Sequence, residues 1–152
     1  MILESARESD WESIRRLSVQ IHDLHAAWRP DIYYHCEEPY PKDAFLADIC
    51  ENLVYVARDG ETVLGYVVLC MIKKGGAGTA DKTFIRLESI CVDEAYRGQG
   101  LGKEMVRQVR QITKSFGCDG LILGVHPENE QAIAFYEKCG FSVRTINMEL
   151  NI

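Results

Sequence analysis

No apolar run in this chain is long enough to cross a bilayer as a helix. The longest, such as Val63 to Met71, fall well short of about 20 residues, and Gly65 interrupts that one. Basic charge is also scarce: 17 Lys and Arg against 23 Asp and Glu leave a formal net charge of −6. A general nucleic-acid binder must neutralise phosphates, so no nucleic-acid partner is expected, whereas a cationic partner would suit this balance. The six cysteines (Cys36, Cys50, Cys70, Cys91, Cys118, Cys139) form no C-x-x-C pair, which disfavours a zinc site or disulfide framework and suits free thiols in a reducing compartment. The opening MILESARESD has no basic segment followed by an apolar one, so no leader is expected and a cytoplasmic location follows. Neither a repeat nor a composition shift divides the 152 residues, which fit a single domain, 1–152.

What is there is a series of patterned segments. ILESAR (2–7) reads as an edge strand, and S-D-W-E from Ser9 reads as a capping box with Glu12. Ile14, Leu17, Ile21 and Leu24 then mark an amphipathic helix, with Pro30 beyond its end. RPDIYYHCEEPYP is a polar-aromatic loop, and a short helix around Lys42 to Glu51 follows. LVYVAR and TVLGYVVLCMI, separated by D-G-E, predict a hairpin; KKGGAGTAD predicts a flexible connection; FIRLESICV predicts another strand. Leu101, Met105, Val109, Ile112 and Phe116 give a helix face closed by Gly117. A strand over Leu121 to Val125, a helix N-capped by Asn129 and closed by Gly140, and a strand over Phe141 to Leu150 complete the chain. The expected order is β-α-α-β-β-β-α-β-α-β, a mixed α/β sheet with helices on both faces.

Between the FIRLESICV strand and the next helix lies AYRGQGLGK, with three glycines at alternate positions. A dinucleotide-binding fingerprint starting at Gly98 would need glycine where Lys103 stands. A Walker A loop would need glycine at Arg97 and Ser or Thr at Glu104. What remains, R-x-x-G-x-G at Arg97, Gly100 and Gly102, can aim successive N–H groups at an anion such as a pyrophosphate, or can be a tight turn without a ligand.

Two blocks carry a resemblance. VDEAYRGQGLGKEM is similar to the acetyl-CoA signature of the GNAT N-acetyltransferase superfamily. Val125, Asn129, Ala132, Tyr136, Gly140 and Phe141 resemble that family's V-x-x-x-N-x-x-A-x-x-x-Y-x-x-x-G-F pattern. The element order matches as well. The resemblance implies a GNAT fold: a mixed, mostly antiparallel sheet with central splayed parallel strands and helices on both faces. It implies that the backbone of Ile90, Cys91 and Val92 holds the pantetheine arm, and that Arg97, Gly98, Gln99, Gly100, Leu101, Gly102 and Lys103 hold the pyrophosphate. Asn129 would contact the cofactor, and Tyr136 would protonate the departing CoA thiolate.

Glu88 stands two residues before Ile90 and, by the period of two, is expected on its face as base or amine anchor, unless it only pairs with Arg86. The window from Leu87 to Lys103 is similar to that of diamine and polyamine acetyltransferases, which carry Glu at this place. Cys91, on the face opposite Ile90, is not expected to be a nucleophile. In such folds the first helices and their connection wall the acceptor site, so His25, Trp28, Asp31, Tyr33 and Tyr34 are candidate acceptor contacts. HAAWRPDIYYHCEEPYP resembles the same segment of small bacterial members. His126 is a second candidate base. His22 and His25 have metal-like spacing but lack a third ligand, so no metal is expected, and Lys103, Arg107, Arg110 and Lys114 read as a solvated stripe. The implied function is direct acetyl transfer from acetyl-CoA to a primary amine of a small, cationic molecule, in a protein with room for a homodimer. A protein or peptide acetyltransferase and a non-catalytic acyl-CoA-binding module are the alternatives.

Overall fold

The computed structural model describes residues 3–152. In chain order it holds β1 (Leu3–Ser5), a short 3-10 turn (Glu8–Asp10), α1 (Trp11–Trp28), α2 (Lys42–Cys50), β2 (Val54–Asp59), β3 (Thr62–Gly76) and β4 (Thr79–Val92). A second 3-10 turn (Glu94–Tyr96), α3 (Leu101–Ser115), β5 (Gly120–Leu123) and α4 (Glu130–Lys138) follow. One sheet in the order β1-β2-β3-β4-β5 is antiparallel throughout except for the parallel pair β4–β5.

Strand alternation divides the core into two layers. Val54, Val56, Tyr66 and Val68 pack with Trp11, Ile14 and Leu17 of α1 and Phe45 of α2. Tyr55, Ala57, Val67 and Leu69 face the other way, against Met105 and Val109 of α3, with Tyr136 of α4 at the margin. The helices therefore cover both faces, and the sheet is the shared wall.

Four local expectations change. The capping box at Ser9 does not form: a 3-10 turn precedes α1, and the Asp10 carboxylate instead accepts from the Arg7 N–H (2.8 Å) and pairs with the buried Arg58 guanidinium (2.7 Å). KKGGAGTAD is not a loose connection. β3 and β4 run through it, pairing Lys73 with Thr83 and Lys74 with Lys82 and turning at Gly76 and Gly78, because ladder bonds come from the backbone and need no apolar face. β5 lies at Gly120–Leu123 and stops before Val125. Residues 141–152 form no strand, since no neighbouring strand is there to pair with them among the described residues. Ile2 of the first predicted strand lies outside the described residues.

β4 also changes phase. Ser89 pairs with Val68 and Leu87 with Leu69, which leaves Glu88 as the extra residue of a β-bulge. Before the bulge, Ile85 and Leu87 pack on the α3 layer; after it, Ile90 and Val92 do, while Cys91 joins the α1–α2 layer.

Candidate active site

The parallel pairing of β4 and β5 runs from Phe84–Gly120 to Leu87–Leu123 and ends there. β4 continues to Val92, so beyond the bulge it has no strand on that side among the described residues. This is a splay, and it exposes extended backbone at the depth where Ile90, Cys91 and Val92 stand.

The glycine loop opens from the end of that strand. The Asp93 N–H donates to the Leu64 carbonyl (2.8 Å), which fixes where β4 ends. Gly98 (φ 77°) and Gly100 (φ 81°) both adopt left-handed backbone, and Gly100 caps α3. A side chain would be strained at either position. Gly102 is used differently: a Cβ there would meet the Phe135 ring at 3.5 Å and Val92 at 3.7 Å, so this is where α3, α4 and β4 converge. The backbone N–H groups from Gly98 to Lys103 have no acceptor among the described residues. They gather at a helix N-terminus, where an anion is favoured.

Arg97 does not turn into this cradle. Its Nε donates to the Val92 carbonyl (2.9 Å) and its terminal nitrogen to Gln20 Oε1 on α1 (3.1 Å), so it braces the loop. Asp93 braces it too, accepting from the Ala95 N–H (3.2 Å) and pairing with Arg16 (2.6 Å). Burial opposes its charge, but Arg16 and the Ala95 N–H hold its carboxyl below the usual range. Sequence reasoning missed Arg16, Gln20 and Asp93; only the turn preference of an Asp ahead of Glu94 hinted at the last. Positive charge comes from elsewhere. Lys103, Arg107 and Arg110 of the α3 stripe join Lys138 of α4 and Gly100 around a groove of about 320 Å³, so three of the four stripe residues line a concavity. Within it, hydrogen bonds from Arg107 and Gln108 take Glu104 down to about 2.

Asn129 N-caps α4 as expected, its Oδ1 accepting from the Ala132 N–H (3.2 Å). Tyr136 lies between the rings of Phe135 (5.3 Å) and Phe141 (5.6 Å) and packs with the cluster that holds Ile90 and Val92. Burial pushes its hydroxyl up to about 12, and no group among the described residues hydrogen-bonds it. Cys91 is buried in the opposite layer, and burial pushes its thiol up to about 11, which makes it a poor nucleophile.

Glu88 is not on the face of Ile90. As the bulged residue it breaks the period of two, and it forms an ion pair with Arg86. The first loop brings several acceptor candidates together. The His25 ring lies 5.7 Å from Trp28 and 5.8 Å from Tyr33, and His126, just past β5, stacks on Trp28 at 5.6 Å with planes 10° apart. His22 joins through Tyr33 (5.9 Å) and donates from Nε2 to the Tyr34 carbonyl (2.8 Å). Burial first, then the nearby His22 and His126, lower the His25 pKa, so its imidazole is neutral near pH 7. Asp31 is instead paired with Arg29 (2.7 Å), and the Tyr34 side chain is exposed. Among the described residues no group of three His, Cys, Asp or Glu could hold a metal ion, and no helix is long and apolar enough to cross a membrane.

Comparison with known proteins bears on this arrangement. The sequence model of the family described as Acetyltransferase (GNAT) family matches residues 18–141. Glucosamine 6-phosphate N-acetyltransferase 1 of rice (Oryza sativa subsp. japonica) is 33% identical over 107 residues, 66% of this chain and 59% of the rice enzyme. The chain thus spans about three-fifths of that relative's length. A mutant of the BH1408 protein from Bacillus halodurans superposes with a TM-score of 0.94 at 28% identity, over 100% of this chain and 99% of that one. An aminoglycoside N-acetyltransferase solved in complex with CoA shares the fold at a TM-score of 0.72 and 18% identity, over 99% of this chain and 93% of that one.

Proposed function

We propose that this chain, which belongs to the GNAT acetyltransferase family, moves an acetyl group from acetyl-CoA to the primary amine of a small, cationic acceptor in the cytoplasm. Residues 1–152 act as a single domain, and transfer is direct, within a ternary complex. The observation that carries this reading is the alignment of three unclaimed features. These are the free β4 edge at the splay, the N–H cradle at Gly98 to Lys103, and the unpartnered Tyr136 hydroxyl.

Ile90, Cys91 and Val92 offer backbone to the pantetheine arm as an added strand would. Gly98, Gln99, Gly100, Leu101, Gly102 and Lys103 receive the pyrophosphate, and the groove with Arg107, Arg110 and Lys138 continues the positive field. Arg97 holds the loop in shape rather than touching phosphate. Asn129 closes the cofactor side. The acceptor lies against His25, Trp28, Tyr33 and His126, with Asp31 and Tyr34 toward the rim. Glu88 draws the ammonium in and accepts a proton, sharing its charge with Arg86. The neutral amine attacks the thioester carbonyl, a C–N bond forms, the C–S bond breaks, Tyr136 donates its proton to the leaving sulfur, and the proton shed by the new amide nitrogen returns through solvent to the Tyr136 oxygen.

A thiol-release assay with acetyl-CoA against polyamines, amino acids, aminoglycosides, amino sugar phosphates and peptides tests this. Turnover on a small amine is expected. Turnover on peptides alone would overturn the small acceptor, and tight CoA binding with no turnover would make the chain a binding module.

A further inference from the structure

Tyr66 is 2% exposed and packs among Trp11, Ile14, Leu17 and Phe45, an apolar setting in which phenylalanine would serve. A buried hydroxyl left unpaired costs stability, so its partner matters. Among the described residues the Tyr66 hydroxyl makes one hydrogen bond, with Ser89 Oγ (2.9 Å). Ser89 directly follows the bulged Glu88 and pairs with Val68, whereas Tyr66 pairs with Cys91, so the bond runs diagonally between β3 and β4. Ser89 itself is half-buried. The pair therefore carries a polar contact from the core out to the stretch of β4 that β5 no longer accompanies. α1 roofs this point: its Arg16 pairs with Asp93 just past β4 (2.6 Å), and Trp28 at its other end stacks on His126 just past β5.

Burial keeps the Tyr66 proton on its oxygen, and Ser89 Oγ is there to accept it in a hydrogen bond. Ser89 is then left with one lone pair and its own O–H, and a hydroxyl that accepts a hydrogen bond donates a stronger one. His126 is a second donor. Its Nδ1 accepts from the Glu128 N–H (3.2 Å), which places the proton of the neutral ring on Nε2. The carboxylates expected at the acceptor, Glu88 and Asp31, are meanwhile paired with Arg86 and Arg29. A donor aimed at the amine nitrogen would tie up the lone pair that must attack. Its useful target is an oxygen beside that nitrogen.

We propose that the acceptor carries a hydroxyl or carbonyl oxygen next to its amine, as amino alcohols, amino sugars and amino acids do, and that the Ser89 hydroxyl donates to that oxygen. Tyr66 is the positioning residue, acting through Ser89. The inference rests on the acetyl-transfer reading above and narrows its acceptor. A plain polyamine lacks the oxygen and would leave the Ser89 donor unmatched, which is how a polar site rejects an analogue.

The test is thiol release from acetyl-CoA with matched amines: ethanolamine against ethylamine, and serinol against isopropylamine, with spermidine alongside. Wild type is expected to favour the hydroxylated member of each pair by about tenfold or more in kcat/KM per neutral amine. Ser89→Ala should cut that preference to about twofold or less, and Tyr66→Phe should lower it in the same direction. Ser89→Thr, which keeps the hydroxyl, should retain it, and calorimetry should find acetyl-CoA affinity unchanged in all three. Ser89→Ala leaves the buried Tyr66 hydroxyl unpaired, so Ser89→Ala with Tyr66→Phe, which removes both partners, supplies the readout if the single change does not fold. Equal rates within each pair for wild type would overturn the inference. So would a Ser89→Ala protein that slows both members alike, or turnover of spermidine alone. Those outcomes leave acetyl transfer standing, whereas no thiol release with any amine would remove that reading and this one with it.

Discussion

Tyr136 can act as an acid only if it still holds its proton when the thiolate leaves. Burial takes its hydroxyl to about 12, so it stays protonated across the neutral range. Tyr136→Phe should lower kcat by about 100-fold while calorimetry finds acetyl-CoA affinity unchanged; an unaltered kcat would remove the role. His25 gives a second prediction at this scale. Its pKa in the fold lies below the value of about 6.5 expected for the unfolded chain, because burial and the neighbouring His22 and His126 oppose its charge. As pH falls below the unfolded value, the unfolded chain takes up the proton first. The stability that rests on the neutral ring is therefore lost as pH falls, and is fully present above that value. His35 shifts upward beside Glu37 and Asp23, in the opposite sense, so the quantity to measure is a difference. Melting temperatures at pH 5, 6 and 7 should fall less steeply for His25→Gln than for wild type. Parallel slopes would mean that His25 titrates as an exposed imidazole.

The elements that carry their own period were readable in the sequence. α1, α3 and the β2–β3 hairpin each repeat an apolar position that one face buries. The extension of that hairpin partner through Lys73 and Lys74 was not, since a ladder of exposed polar residues leaves no pattern. Nor was the bulge, because FIRLESICV has no glycine or proline to announce it. In the site, the turn at the glycine loop and the helix cap at Asn129 were legible from residue type and spacing, whereas their place toward a cofactor came from the resemblance. The inward turn of Arg97 was not, because Gln20, its partner, comes from a distant helix. The loop itself can be tested by contrast between two glycines. Gly100→Ala forces a side chain into left-handed backbone at a cost of about 1–2 kcal/mol, so both melting temperature and acetyl-CoA affinity should fall. Gly102→Ala finds only ordinary contacts and removes a glycine from a helix, so the fold should hold while affinity drops. Equal affinity for wild type and both variants would return the loop to a plain turn.

Across the whole molecule, an acidic chain of net charge −6 carries one concave surface of opposite sign, where Lys103, Arg107, Arg110 and Lys138 meet. Acetyl-CoA binding should therefore weaken roughly five- to tenfold between about 50 and 500 mM NaCl, as followed by titration calorimetry. A salt-independent affinity would exclude the groove from the cofactor's path. The bulge has a further consequence at this scale. Glu88 works as a compensating insertion within a single strand: it shifts the odd–even count along the chain while β3 and β4 stay in step on both sides of it, Leu69 opposite Leu87 and Val67 opposite Ile90. Excising that one residue would make β4 more regular and would bring β3 and β4 into unbroken register. Ile90 and Val92 would keep the α3 face and Cys91 the α1–α2 face, but the bend that a bulge gives its strand would be lost. A ΔGlu88 protein is expected to keep its far-UV spectrum yet bind acetyl-CoA more weakly, and wild-type affinity would show that the cofactor does not depend on this bend.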